Sequence, residues 1–187
     1  MDKPARSSAQ RPERGKRAWR IVCSAALLAC MWLLTAAHSN ALAEDSPPSL
    51  ALSGFFLVDT SGELRDQTAE HDARLERFDR IMHEEVAASG RFTLAEMKCP
   101  QPRCSGHSMT MDELFSRAKD AGARFLAVGA VEKMSTLVLW ARLEVYDTAS
   151  RKMVFNRLIT FRGDNDEAWR RAAHYVAREL ITNAPSQ

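Results

Sequence analysis

The sequence predicts an α/β (α+β) domain with helices packed on a single mixed sheet of about five strands, in the order β-α-β-α-β-β-β-α. Three observations predict it. Two apolar runs, residues 50–58 and 124–131, read as strands buried on both faces. Residues 137–146 follow a period of two with one face more polar than the other, and residues 153–161 return after a turn, the pattern of an antiparallel hairpin. Between and after these lie three amphipathic stretches with helical spacing.

Each element follows from local chemistry. Residues 50–58 (Leu-Ala-Leu-Ser-Gly-Phe-Phe-Leu-Val) run without a charge until Asp59-Thr60-Ser61-Gly62 breaks them. From Gln67 to Ser89, the residues Leu75, Phe78, Ile81, Met82 and Val86 recur at helical intervals within a heavily charged segment, and Gly90 supplies the stop. His71 and His83 lie in this stretch and read as surface histidines, because no third ligand stands at helical spacing near either. Residues 91–96 form a short strand candidate. Thr110 and Glu113 have the spacing of a capping box, and the helix continues through Leu114, Phe115 and Ala118 to Ala121-Gly122. Gly129, inside the second buried strand, signals a bulge or a close backbone approach. Leu137, Leu139, Ala141, Leu143 and Val145 alternate with Val138, Trp140, Arg142, Glu144 and Tyr146 before the turn Asp147-Thr148-Ala149-Ser150. Asp164 is the expected N-cap of the last helix, with Glu167 at N3 and Asp166 at the positive dipole end. Trp169, Ala173, Val176 and Leu180 form its apolar stripe.

Ahead of this domain, residues 1–43 read as a secretory signal. Seven basic residues (Lys3, Arg6, Arg11, Arg14, Lys16, Arg17, Arg20) precede an apolar run over residues 21–34, and Ala41 and Ala43 suit a signal peptidase. The expected organisation is thus a signal at 1–43, a tether at 44–49, one globular domain at 50–182 and a tail at 183–187. The expected compartment is the periplasm of a Gram-negative bacterium. A lipid anchor at Cys30, within Leu27-Leu28-Ala29-Cys30, is the minor alternative, weakened by the apolar Met31-Trp32-Leu33-Leu34 that follows.

Removing the leader changes the electrostatics. The chain has 26 basic and 24 acidic residues; the first 43 hold seven and two of these, which leaves 19 basic and 22 acidic and a net charge of −3. A mildly acidic exported domain has no general reason to bind a phosphate backbone, so no nucleic-acid partner is expected. Of four cysteines, Cys99 and Cys104 remain, and in an oxidising compartment two cysteines this close read first as a disulfide. The sharper alternative is a metal site, because Cys99, Cys104, His107, Met109 and Met111 are the soft ligands that Cu(I) prefers.

The segments Phe125-Leu126-Ala127-Val128-Gly129-Ala130-Val131, residues 137–147 and Phe161-Arg162-Gly163-Asp164-Asn165-Asp166-Glu167-Ala168-Trp169-Arg170-Arg171 resemble a family of uncharacterised secreted bacterial proteins, a domain of unknown function. The resemblance spans about residues 50–180 and implies no activity. Element order and the hairpin turn are also distantly similar to the amino-terminal domain of the Tol-system translocation protein and to periplasmic domains of the curli-secretion lipoprotein type. That likeness implies contact with other envelope proteins, and fold alone does not establish it.

Two groups of residues stand out as candidate surfaces. Trp140, Arg142, Tyr146 and Arg157 are expected on one hairpin face, either as a partner surface or beneath a helix. Arg162, Asp164, Asp166, Glu167, Arg170 and Arg171, with Trp169 among them, form the densest charged cluster, either an anion surface or a helix start whose charges pair along its face. No Ser-His-Asp signature, phosphate loop or His-Glu-x-x-His motif is present, and no catalytic residue or cofactor is assigned. The expected function is a periplasmic accessory module that contacts an envelope protein without catalysis. The alternative is metal or small-ligand handling by the 99–111 loop, and an enzyme ranks third.

Overall fold

A computed structural model describes residues 46–99 and 103–185 of the chain. The leader, with its expected cleavage site and Cys30, lies outside the described residues. Six strands form one mixed sheet: β1 (Ser49–Leu52), β2 (Phe56–Asp59), β3 (Thr93–Leu94), β4 (Phe125–Lys133), β5 (Val138–Asp147) and β6 (Met153–Arg162). Three helices, α1 (Thr68–Ser89), α2 (Met111–Asp120) and α3 (Asp166–Asn183), pack on it. The order across the sheet is β3-β1-β4-β5-β6, and β2 continues beside β4 beyond the end of β1. β1 pairs in parallel with β3 and β4, whereas β4, β5 and β6 form an antiparallel meander.

The expected single strand at 50–58 is two strands. Leu52 pairs with Ala127 and Phe56 with Ala130, so Ser53, Gly54 and Phe55 stand against only Val128 and Gly129. The cause is the Phe55 ring, which turns into the core against Phe78, with ring centroids 4.5 Å apart. Gly129 leaves the room: a Cβ there would sit 2.2 Å from Phe55 Cζ. The close approach expected of this glycine is therefore real. The backbone of the break is satisfied elsewhere. Ser53 N–H donates to Ala127 O (2.9 Å), Gly54 N–H to Cys104 O (2.7 Å) and Phe55 N–H to Asp79 Oδ1 (2.8 Å). Nor is the strand buried on both faces throughout, since β2 runs out to an exposed Val58 and Asp59.

Alternation decides the two faces. Leu139, Ala141, Leu143 and Val145 point with Phe125, Ala127 and Val131 into the main core, where α1 contributes Leu75, Phe78, Met82 and Val86 and α3 contributes Trp169, Ala173, Val176 and Leu180. Both helix stripes are those of the sequence. The opposite face carries a smaller core, in which Leu114, Phe115 and Ala118 of α2 meet Ala51, Leu126 and Val128. Leu137 precedes β5 and is exposed.

Helix ends follow the expected chemistry with one exception. Gly90 closes α1 at φ 64°, and Thr110 and Glu113 form the capping box of α2. The N-cap of α3 is Asn165, whose Oδ1 accepts from Ala168 N–H at 3.0 Å, and not Asp164. The Asp164 carboxylate is engaged elsewhere.

Candidate functional site: an open sheet face, a buried ion network and the cysteine loop

On the α2 side of the sheet, the small core covers only the part built from β1 and the first residues of β4. Beyond it, Phe56, Val58, Met111, Trp140, Arg142 and Leu158 surround a shallow groove of about 370 Å3. Register puts them together: Phe56 stands beside Ala130, Ala130 opposite Arg142 and Arg142 opposite Leu158. Val58 (41 %), Met111 (36 %) and Leu158 (52 %) are exposed. The Arg142 side chain is more than half exposed, with Glu144 Oε1 4.0 Å away. Tyr146 belongs to the same face but lies under α2. Its ring meets Phe115 edge-on at 5.6 Å, and its hydroxyl donates to Glu144 Oε2 at 2.7 Å. Burial and this bond to a carboxylate push the phenol up to about 12. Arg157 is not on this face. It stands opposite Leu143, on the side of the main core, and its Nε lies 2.8 Å from Glu179 of α3. Directly opposed residues share a face, so the register that sets Leu158 opposite Arg142 separates the two arginines.

The charged cluster at the start of α3 divides in three. Glu167 pairs with Arg170 and Arg171 along the helix, as i,i+3 and i,i+4 spacing dictates. Asp166 reaches across to Arg74 and Arg77 of α1. The Asp164 side chain is buried and holds a network drawn from the whole fold. Its Oδ2 lies 2.9 Å from His71 Nε2 and 2.9 Å from Lys133 Nζ. Its Oδ1 accepts from Arg74 Nη1 at 2.7 Å and from Trp169 Nε1 at 3.0 Å. Lys133, fully buried, also donates to Glu63 at 2.8 Å and to Gln67, with Asp59 3.8 Å away. Burial alone would raise the Asp164 carboxyl. The bonds from His71, Lys133 and Trp169 outweigh it and hold the group at about 2. Lys133 obeys the same logic: burial disfavours its charge, but Glu63 and Asp164 keep the ammonium above its ordinary value.

His71 is therefore no surface histidine. It is 4 % exposed, and its ring stacks on Trp169 at 5.9 Å. Sequence reasoning missed it because both partners lie about ninety residues away; the only local hint was its place one turn before Leu75, on the apolar stripe. Trp169 itself is core, flanked edge-on by Phe78 and Phe161. Arg170 is exposed on α3, and Arg162 ends β6 on the surface.

Cys99 and Cys104 are joined in a disulfide, with Cα atoms 5.2 Å apart. The bond engages both sulfurs proposed as thiolate ligands. Met109 is buried beside Cys104 in the smaller core, whereas His107 lies against the Phe56 ring at 6.2 Å. Among the described residues, no group of three or more His, Cys, Asp and Glu side chains converges as a metal site would. Around Cys104, Arg103, Ser105, His107 and Ser108 instead line a cleft of about 480 Å3, whose far wall is His71, Asp72 and the start of α1. Beside this cleft, Arg103 Nη1 donates to Asp79 Oδ2 at 2.7 Å. Burial pushes the Asp79 carboxyl up to about 6, although the Phe55 N–H and Arg103 oppose that rise.

No curated protein matches the chain. Among solved structures, the PelC dodecamer from Paraburkholderia phytofirmans is similar at 15 % identity and a TM-score of 0.47, covering 75 % of this chain and 89 % of that one. TolB from Acinetobacter baumannii is similar at 18 % identity and a TM-score of 0.44, covering 74 % of this chain and 29 % of its own. The LpoB C-terminal domain from Escherichia coli is similar at 12 % identity and a TM-score of 0.42, covering 62 % and 83 %. Among the described residues, no helix is long and apolar enough to cross a membrane. A family model described as "Protein of unknown function (DUF2380)" matches residues 48–181, and the chain therefore belongs to this family, DUF3280.

Proposed function

We propose that this domain is a non-catalytic accessory module of the bacterial envelope that docks on another envelope protein through its open sheet face. The observation that carries the reading is the half-covered face: Phe56, Val58, Met111, Trp140 and Leu158 stand around the exposed Arg142 where no helix lies over the sheet. Trp, Met, Phe and Arg are the residue types that protein interfaces concentrate at their centres. Two further features support the compartment: the sequence of residues 1–43, which reads as an export signal, and a disulfide of the kind that persists in an oxidising space.

The test is photo-crosslinking in the envelope. A benzoylphenylalanine placed at Val58 or Leu158 of the exported protein yields an adduct of discrete mass, and one placed at the exposed Asp120 of α2 does not. Adding Trp140→Ala and Arg142→Glu removes the adduct. Crosslinks that are equally abundant from all three positions, or that survive the double substitution, would overturn the reading.

One observation favours a second reading, small-ligand handling by the cysteine loop: residues 103–108 help wall the 480 Å3 cleft that also exposes an edge of His71. This volume falls within the range of small-molecule pockets. Saturable shifts of His107 and His71 imidazole resonances on titration with periplasmic small-molecule extracts would favour it over face docking.

A further inference from the structure

The sheet has a second feature that the open face does not use. β6 pairs only with β5, so one side of a ten-residue strand carries backbone N–H and C=O groups with no strand partner among the described residues. Exposed edges are templates for pairing, and proteins usually shorten, bulge or interrupt them. Here the only register shift lies at the start of the strand, between Val145 and Tyr146 of its neighbour, and the pairing runs regularly from Phe155 to Arg162. Neither proline nor glycine interrupts it.

A groove of about 510 Å3 follows this edge, with β6 on one side and Ala168, Arg171, Ala172 and Tyr175 of α3 on the other. Its charged lining is entirely basic: Arg157, Arg162 and Arg171. Arg157 is turned toward Glu179 and Arg171 contacts Glu167, whereas Arg162 has no ion-pair partner among the described residues. A second copy of the chain is a poor occupant, because its β6 carries two arginines and no carboxylate. An extended segment that supplies backbone hydrogen bonds and carboxylates matches both features at once.

We propose that the β6 edge and its arginine-lined groove accept an acidic extended segment of a partner protein, added as a seventh strand. The proposal rests on the domain being a binding module, and assigns that module a second, chemically distinct contact. The probe is a fluorescein-labelled peptide of alternating Val and Glu, titrated against the exported protein by anisotropy, with hydrogen exchange locating it. Expected are binding with added protection over β6, and a loss of about tenfold or more in two cases: the Arg162→Glu/Arg171→Glu variant, and a peptide N-methylated at every second residue. The Val and Lys counterpart is expected not to bind, and Trp140→Ala/Arg142→Glu to bind like the wild type. No binding at millimolar peptide, equal binding of the N-methylated peptide, or protection elsewhere than β6 would overturn the proposal and leave face docking intact. Loss of binding in the Trp140→Ala/Arg142→Glu variant would instead assign the peptide to the sheet face. Dimerisation of the protein through β6, seen by light scattering and abolished by Arg162→Glu, would replace the acidic segment by a second copy and equally overturn it.

Discussion

Replacing Asp164 by Asn is the most informative single perturbation of this fold. The carboxylate is 4 % exposed and receives four donors, two on each oxygen. An amide keeps the shape but offers one acceptor oxygen, so whichever way it turns an NH2 group faces two donors. Facing Lys133 and His71, it leaves the fully buried ammonium to Glu63, Gln67 and the more distant Asp59. Breaking one side of a buried, hydrogen-bonded ion pair costs about 3–5 kcal/mol, against a total stability of about 5–15 kcal/mol for a domain. Urea unfolding followed by Trp169 fluorescence is expected to show a lower midpoint with an unchanged slope. The pH dependence gives an independent handle. The folded carboxyl titrates near 2 and the unfolded one near 3.8, so its contribution is fully present above the unfolded value and is lost as pH falls toward 2. That contribution is about 2 kcal/mol, and roughly half is gone by pH 3. The stability gap between wild type and Asp164→Asn should therefore narrow from pH 5 to pH 3. A midpoint shift equivalent to less than about 1 kcal/mol, or a gap that stays constant over that range, would refute the network as a clamp.

Asp79 titrates in the opposite sense and in a different window. Its folded value near 6 exceeds the unfolded 3.8, so burial of its charge costs the fold about 2–3 kcal/mol as pH rises from 4 to above 6; Asp79→Asn should flatten that fall in denaturation profiles taken over the same range. Gly129→Ala would put a methyl into the Phe55 ring and is expected to cost about 3 kcal/mol by calorimetry, most of it recovered when Phe55 is changed to Leu, since the clash lies with that side chain. Changing both cysteines to Ser should cost about 2 kcal/mol in chemical denaturation and leave the far-UV spectrum unchanged, because the bond closes a loop of only a few residues. Asn165→Ala removes the true cap of α3 and should cost about 1 kcal/mol, whereas the same loss from Asp164→Ala would be far larger, because there it takes the network with it.

The pattern of what could be read in advance has a physical origin. Helix stripes such as Leu75, Phe78, Met82 and Val86 are periodic within a few residues, and the capping box at Thr110 and Glu113 spans a single turn. Such features obey local rules and appear in the chain as written. The break at Ser53–Phe55 does not, because it depends on Phe78 and Gly129 receiving the Phe55 ring. His71 looked like solvent decoration for the same reason: its burial is conferred by Asp164 and Trp169. Arg157 was misplaced by hairpin register, in which a shift of one residue moves a side chain to the other face of the sheet.

By itself, the sequence determined the element order of the main body, the two apolar helix faces, the disulfide pair and the signature of the family, since each depends on spacing, composition or proximity along the chain. Only the tertiary structure decided which charges are buried together, which half of the sheet stays open and where an edge strand is left beside three arginines. Those properties belong to contacts between residues tens of positions apart. Local spacing carries no record of them, because the low dielectric and the covered faces that define them exist only once β4, α1 and α3 have packed.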